Sequence, residues 1–225
     1  MLKSYKKSLV GGVLLTVLAV IVFTSNKAKA ETEVKSIDSV LTLEHNVTNT
    51  VSKMGAEFSV DEHSFLHLGL NTDSRMELGY GRVYSWKAFH ADLYTEAGRQ
   101  EINQFSFYDG QFKGRAGVDV FGLATVYGVG KVTITNTDEI NTKNEYGVDL
   151  ELPVTRYFDV NYSYFHIDNG KVNEYNADTR LANEHTFKLA YADTTLFTPW
   201  VEFNHYKSVG GTSDNAVTIG LNINL

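Results

Sequence analysis

The chain is written in period two. Near the C-terminus Val217, Ile219, Leu221, Ile223 and Leu225 are apolar, while Thr218, Gly220, Asn222 and Asn224 stand between them. Val201 and Phe203 alternate with Glu202 and Asn204, and Phe187, Leu189 and Tyr191 with Lys188, Ala190 and Ala192. Further back, Val160, Tyr162 and Tyr164 alternate with polar neighbours, as do Tyr146, Val148, Leu150 and Leu152. The N-terminal half repeats the pattern more weakly in Met54–Val60, Leu66–Leu70, Met76–Tyr80 and Phe89–Leu93. In a strand this spacing sends alternate side chains to opposite faces. No window reads as an amphipathic helix of ordinary length, so the expected class is all-β.

Alternation alone does not separate a soluble sandwich from a membrane barrel, because both keep one apolar face. Three further features favour the barrel. Connections alternate in length: Asn136–Asn144, Asp168–Glu184 and Ser208–Asp214 read as long polar loops, and Phe121–Thr125, Pro153–Tyr157 and Thr194–Leu196 as short turns. Outer-membrane barrels have long loops on one side and short turns on the other. Tyrosines at expected strand ends (Tyr80, Tyr84, Tyr94, Tyr108, Tyr127, Tyr157, Tyr206), with Trp86 and Trp200 nearby, suit two aromatic girdles. The alternation also runs into the final residue, as it must where no unpaired edge survives in lipid. Candidate strands number thirteen. A single-chain bacterial barrel takes an even number, so the expectation is a transmembrane antiparallel β-barrel of about twelve strands, with ten as the runner-up.

The first thirty residues read differently. Lys3, Lys6 and Lys7 precede an apolar run from Leu9 to Phe23, and Ala28-Lys29-Ala30 supplies a small-x-small cleavage site. A spanning helix wants about 20 apolar residues, so 1–30 is expected to be a cleaved signal peptide and 31–225 the barrel. The leader carries five lysines and no acid, so its removal takes the formal charge from −7 to −12. An acidic chain is a poor partner for nucleic acid. There are no cysteines, which removes disulfides and thiolate metal sites.

The ending V-T-I-G-L-N-I-N-L resembles the C-terminal strand by which outer-membrane barrels are recognised for insertion, though it ends on Leu225 where an aromatic is usual. Tyr146–Tyr164 and Thr198–Tyr206 resemble strands of the small twelve-stranded porins for acidic oligosaccharides. The resemblance implies a Gram-negative outer membrane, lipid and lipopolysaccharide as surroundings, and the barrel-assembly machinery as a partner.

The polar phase is the candidate functional surface. Glu57, Glu77, Asp92, Asp119, Lys131, Asp149, Glu151, Asp159, Lys188 and Glu202 are the candidate lumen-lining residues, with Glu44 beside them. The arginines read elsewhere: Arg75, Arg99 and Arg156 in turns, Arg180 in the longest loop, Arg115 at a strand start. A porin for acidic sugars needs tracks of guanidinium groups, which bind carboxylates bidentately. Without such a track the family's substrate does not follow. A carboxylate-rich lumen favours cations. The leading expectation is therefore a porin-like channel for passive diffusion of small hydrophilic solutes, weakly cation-preferring. The alternative is a closed structural or recognition barrel whose outer loops bind a partner, its interior filled with paired side chains.

An outer-membrane lipid hydrolase is the third reading. Phe165-His166-Ile167-Asp168-Asn169-Gly170 faintly resembles the His-x-Ser-Asn segment of lipid A deacylases, but Asp168 stands at the serine position and a carboxylate is no substitute for an activated hydroxyl. The other histidines lack metal-like spacing, so no catalytic, metal or cofactor site is expected, and a monomer is the default. Gly79-Tyr80-Gly81 and Gly128-Val129-Gly130 match phosphate loops only in letters; in a strand, glycine marks a bend or close packing.

Overall fold

The computed structural model describes residues 39–102, 105–136, 140–155, 157–170, 180–191 and 196–225. The expected signal peptide lies outside them, as does Arg156. The described chain forms twelve antiparallel strands in one closed barrel: β1 (Val40–Asn46), β2 (Val51–Asp61), β3 (Ser64–Asn71), β4 (Arg75–Trp86), β5 (Phe89–Ile102), β6 (Phe105–Val120), β7 (Ala124–Asn136), β8 (Ile140–Thr155), β9 (Phe158–Asp168), β10 (Leu181–Tyr191), β11 (Phe197–Ser208) and β12 (Ser213–Asn224). Each strand pairs with its sequence neighbours. The seam closes where β1 meets β12, in a register running from Val40 opposite Asn224 to Asn46 opposite Thr218. The Leu225 N–H also donates to the Ser39 carbonyl, 2.8 Å away. Closure satisfies the backbone without water, which strands in hydrocarbon require.

The apolar phase faces outward. Leu68, Leu78, Phe112, Val148, Phe187, Val201, Phe203 and Ile219 are all exposed. Such a band around a closed barrel is the surface of a protein that spans a membrane. The wall is uneven: β6 and β8 have 16 residues each, whereas β1 has 7 and β3 has 8. A membrane strand needs about 9–11 residues, so the β5–β8 side stands beyond the bilayer.

Both termini of the barrel lie at one end. At the opposite end most connections are tight, and the expected long loop Asn136–Asn144 is corrected. Strand β7 runs to Asn136 and β8 starts at Ile140, with Asn136 opposite Ile140, so the polar residues from Asn141 to Asn144 are paired strand. Loop polarity there reflects strand that rises out of the membrane. The connection between Asp168 and Leu181 is the long one. By the usual asymmetry of these barrels its end faces outward, and the end with the termini faces the periplasm. On the periplasmic side the β6–β7 turn is tight, with Phe121 and Gly122 both at positive φ (57° and 69°), the type I′ geometry that matches strand twist. The Asp119 carboxylate accepts the Gly122 N–H at 2.8 Å.

Candidate functional site in the barrel interior

The register puts all ten candidate residues on the face opposite the apolar band. Glu57 (β2), Glu77 (β4), Asp92 (β5), Asp119 (β6), Lys131 (β7), Asp149 and Glu151 (β8), Asp159 (β9), Lys188 (β10) and Glu202 (β11) share one phase of the pairing. Contacts between strands well separated in sequence follow from this shared inward direction.

One cluster spans β2 to β6 in the outer half of the barrel. The Arg75 guanidinium donates to Glu77 at 2.7 Å, to Asp109 at 2.5 Å and to Glu96 at 3.5 Å. Lys53 reaches the other Glu77 oxygen at 2.6 Å. His67 stands between Glu57 and Glu77, 3.6 and 3.7 Å away. Tyr94 donates its hydroxyl to Glu96 at 2.6 Å, stacks on Phe65 at 6.1 Å between centroids, and meets His67 edge-on. Gly79 and Gly81 make room for these rings: a Cβ on Gly79 would meet the Tyr94 hydroxyl at 2.6 Å, and one on Gly81 would collide with the outer edge of the Phe65 ring.

His67, Glu77 and Glu96 bring ligand-type atoms within 4.8 Å of one another, a grouping that sequence spacing conceals. Lys53 and Arg75 already hold these carboxylates, so the cations of the cluster are the protein's own.

A second cluster lies nearer the periplasmic end. Arg115 bridges Asp92 and Glu151, the latter at 2.7 Å, and lies 4.2 Å over the Tyr127 ring. Beside it, Lys131 and Lys143 share Glu145 at 2.9 and 3.0 Å. Lys113 sits directly opposite Lys131. On the far wall Lys188 lies opposite Glu202 in the register and 3.8 Å over the Trp200 ring, whose indole N–H donates to Asn222 at 3.2 Å.

Between the walls is a cavity of about 710 Å³, lined by Lys53, Glu57, Phe65, His67, Asp92, Tyr94, Lys113, Arg115 and Lys188. On its wall the Glu57 side chain is 42% exposed. Other inward groups are packed, with Val129, Glu145, Asp149 and Trp200 all buried.

Three expectations are corrected. Tyr94, Tyr127 and Tyr206 belong to the inward phase, and so does Trp200, so none of them is a girdle residue. There the Tyr94 hydroxyl and the Trp200 indole N–H find polar partners, Glu96 and Asn222, that hydrocarbon lacks. Arg75 is the first residue of β4 and faces inward, and Arg99 lies within β5 on the outward phase; neither is in a turn. Arg115 stands deep within β6, paired with Asp92, and not at a strand start. The missed residues Lys53, His67, Arg75, Tyr94, Glu96, Asp109, Lys113, Arg115 and Glu145 all obey the phase of the ten. Arg75 could have been found by stepping back two residues from Glu77.

His166 is on the opposite, outward face of β9, where its Nδ1 meets Asn183 at 3.0 Å. Asp168 accepts the Gly170 N–H at 3.0 Å and Arg180 at 3.5 Å. No described serine is brought to this pair as a nucleophile.

No protein-family model and no curated protein matches the chain. Among solved structures the fold is similar to the NanC porin, at 11% identity and a TM-score of 0.62, covering 83% of this chain and 100% of that one. It is also similar to the KdgM porin in complex with disordered oligogalacturonate, at 11% identity and a TM-score of 0.61, covering 84% and 99%. LpxR from Salmonella typhimurium aligns at 8% identity with a TM-score of 0.52, over 84% and 100%. At these identities the likeness is one of fold. The chain is thus a twelve-stranded antiparallel barrel of the outer-membrane type, with an architecture shared by small porins.

Proposed function

We propose that the barrel is a narrow channel through which small hydrophilic solutes diffuse, with a weak preference for cations. The observation that carries the reading is the water-accessible cavity between the β2–β6 wall and Lys188, ringed by charged side chains. The preference follows from which charges are already neutralised. Arg75, Arg115, Lys53, Lys131 and Lys143 each hold a carboxylate within 3.0 Å or a shorter contact. Glu44, Glu57, Asp149, Asp159 and Glu202 have no such Lys or Arg partner among the described residues; Glu57 lines the cavity, as do Lys113 and Lys188, the cations uncompensated on the same terms. Unpaired carboxylates lining a pore favour cations. The ten inward residues act in this reading as the lining of the path, with no cofactor and no bound metal.

Conductance of the folded protein in planar bilayers tests it. Discrete ion-conducting steps are expected, with a reversal potential in a salt gradient of the sign that marks cation selectivity. Anion selectivity would remove the lumen assignment. A second reading has one observation in its favour: Val129, Glu145, Asp149, Ile167, Ala182, Trp200 and Ser208 are buried, as in barrels whose interior is filled. A silent bilayer would support that closed, loop-recognition barrel. Lipopolysaccharide left chemically unchanged after incubation with the folded protein would remove the hydrolase.

A further inference from the structure

On the outer face the change from apolar to polar is abrupt, and on three adjacent strands it falls on histidine. Going toward the outward end, Phe187 is followed in phase by His185 and Asn183 on β10, and Phe203 by His205 and Lys207 on β11. On β9, Tyr162 and Tyr164 precede His166. The register sets these residues side by side, because Tyr164 lies opposite His185, His185 opposite His205, and His205 opposite Asn215 of β12.

The rings are held in the same sense. His185 Nδ1 meets the Tyr162 hydroxyl at 2.8 Å, His205 Nδ1 meets Asn215 Oδ1 at 2.7 Å, and His166 Nδ1 meets Asn183 Oδ1 at 3.0 Å. An amide oxygen only accepts, so Nδ1 of His205 and His166 must be the protonated nitrogen. Nε2 is then a bare acceptor in the neutral ring and an outward-facing N–H once the ring takes up a proton. Two such rings, His185 and His205, stand 6.4 Å apart, with Lys207 two positions beyond. Protonated together they repel, and an anion between them relieves the repulsion.

Histidine changes charge between pH 5 and 8. The groups facing the pair are Tyr162 and Tyr164 from β9, Lys207 on β11 and the neutral Asn215 from β12; the neighbouring acid on β12, Asp214, belongs to the inward phase and accepts the Asn215 N–H. Asp168, the acid next along β9, is held by Arg180 and the Gly170 N–H. The belt stands where the apolar positions of β9–β12 give way to polar ones, which in a membrane-spanning barrel marks the level of the lipid headgroups.

We propose that the outer face of β9–β12 docks the phosphate of a phosphorylated glycolipid of the outer leaflet, with His185 and His205 as the anion-facing pair. The proposal rests on the membrane-spanning fold and not on conduction, so it survives a silent bilayer.

The test uses folded full-length mature barrel in detergent, with lipid retention read by native mass spectrometry. The probes are diphosphorylated lipid A and lipid A of the same acyl chains with both phosphates removed. At pH 6 the phosphorylated probe is expected to be retained about tenfold better, with the preference falling to within about twofold at pH 8. The double variant His185→Gln/His205→Gln is expected to retain both probes alike at either pH, and heat-modifiable migration reports that it is folded. Equal retention by the unaltered protein at pH 6, or an undiminished preference in the folded double variant, overturns the proposal. If the variant does not fold, the comparison of the two probes at two pH values on the unaltered protein still decides.

Discussion

Arg75 and Asp109 are joined across a strand that lies between theirs. Arg75 is on β4 and Asp109 on β6, yet the Nη1 to carboxylate distance is 2.5 Å. On β5 the position between them is Gly98, opposite Asp109 and next to Glu77 in the register. A Cβ there would collide with the Asp109 carboxylate and come within 2.7 Å of Arg75 Nη2. Gly98 is therefore the window through which the bridge passes.

Two substitutions separate the bridge from its parts. Gly98→Val closes the window and should release Asp109 while leaving Arg75 on Glu77 and Glu96. Arg75→Ala removes the guanidinium from Glu96 and Asp109, while Lys53 still holds Glu77. Removing one partner of a buried ion pair costs about 3–5 kcal/mol, and lumen water should keep this case near the lower end. Denaturant unfolding of barrels refolded into vesicles is expected to place Gly98→Val between the unaltered protein and Arg75→Ala. Equal stability of all three would mean that the network contributes nothing to the fold.

Arg115 is the charge whose removal should move ion selectivity furthest. Its guanidinium lines the cavity while holding Asp92 and Glu151. Arg115→Gln frees both acids toward the permeating ion. A unit charge at about 5 Å in water contributes about 0.8 kcal/mol, and screening at physiological salt about halves it, which is about twofold in permeability ratio. Reversal potentials should shift toward cations by that factor in Arg115→Gln and toward anions in Glu57→Gln. No shift in either would place both side chains off the permeation path.

The outer face makes a prediction about stability alone. Leu78 on β4 is exposed and lies opposite Leu68 and Ala97, within the apolar band. An arginine on the lipid face costs about 2–4 kcal/mol near the midplane and little at the interfaces. Leu78→Arg should lower vesicle-embedded stability by about 3 kcal/mol with conductance unaltered. A change of a few tenths would put Leu78 at an interface and shift the assumed depth of the barrel.

The same two-sidedness explains what could be read in advance. Strands such as β10 and β12 announce themselves because the lipid face is built of Phe, Leu and Ile. β6 does not: its outward positions include Gly110, Gly114 and Ala116, and its inward ones Lys113 and Arg115. Small outward residues carry no hydrophobic signal, so the arginine in their midst read as a strand start. The residue types of the interior were legible from phase. Which of them meet was not, since Arg75 and Asp109 approach only through the register of three strands and a missing side chain at Gly98. The polar stretch Asn141–Asn144 misled for the opposite reason, because strand outside the bilayer has no need of an apolar face.

The two tryptophans offer a direct check on the two faces. Trp86 ends β4 at the periplasmic side and is 60% exposed, with Lys87 5.2 Å from its ring. Trp200 is 7% exposed, turned inward beneath Lys188. Both looked alike in sequence, as belt residues near strand ends. Lipids brominated on their acyl chains quench indoles they touch, so the fluorescence of the folded protein should divide. In Trp200→Phe the remaining emission, from Trp86, should be quenched strongly; in Trp86→Phe the remaining emission, from Trp200, should be nearly insensitive. Packed beneath Lys188, Trp200 should also be reached poorly by acrylamide, and ready quenching by acrylamide would show an interior more open than this packing. Quenching of Trp200 by brominated chains would reverse its facing and, with it, the phase assigned to Lys188 and Glu202, since Trp200, Glu202 and Lys188 stand on one face in the β10–β11 register.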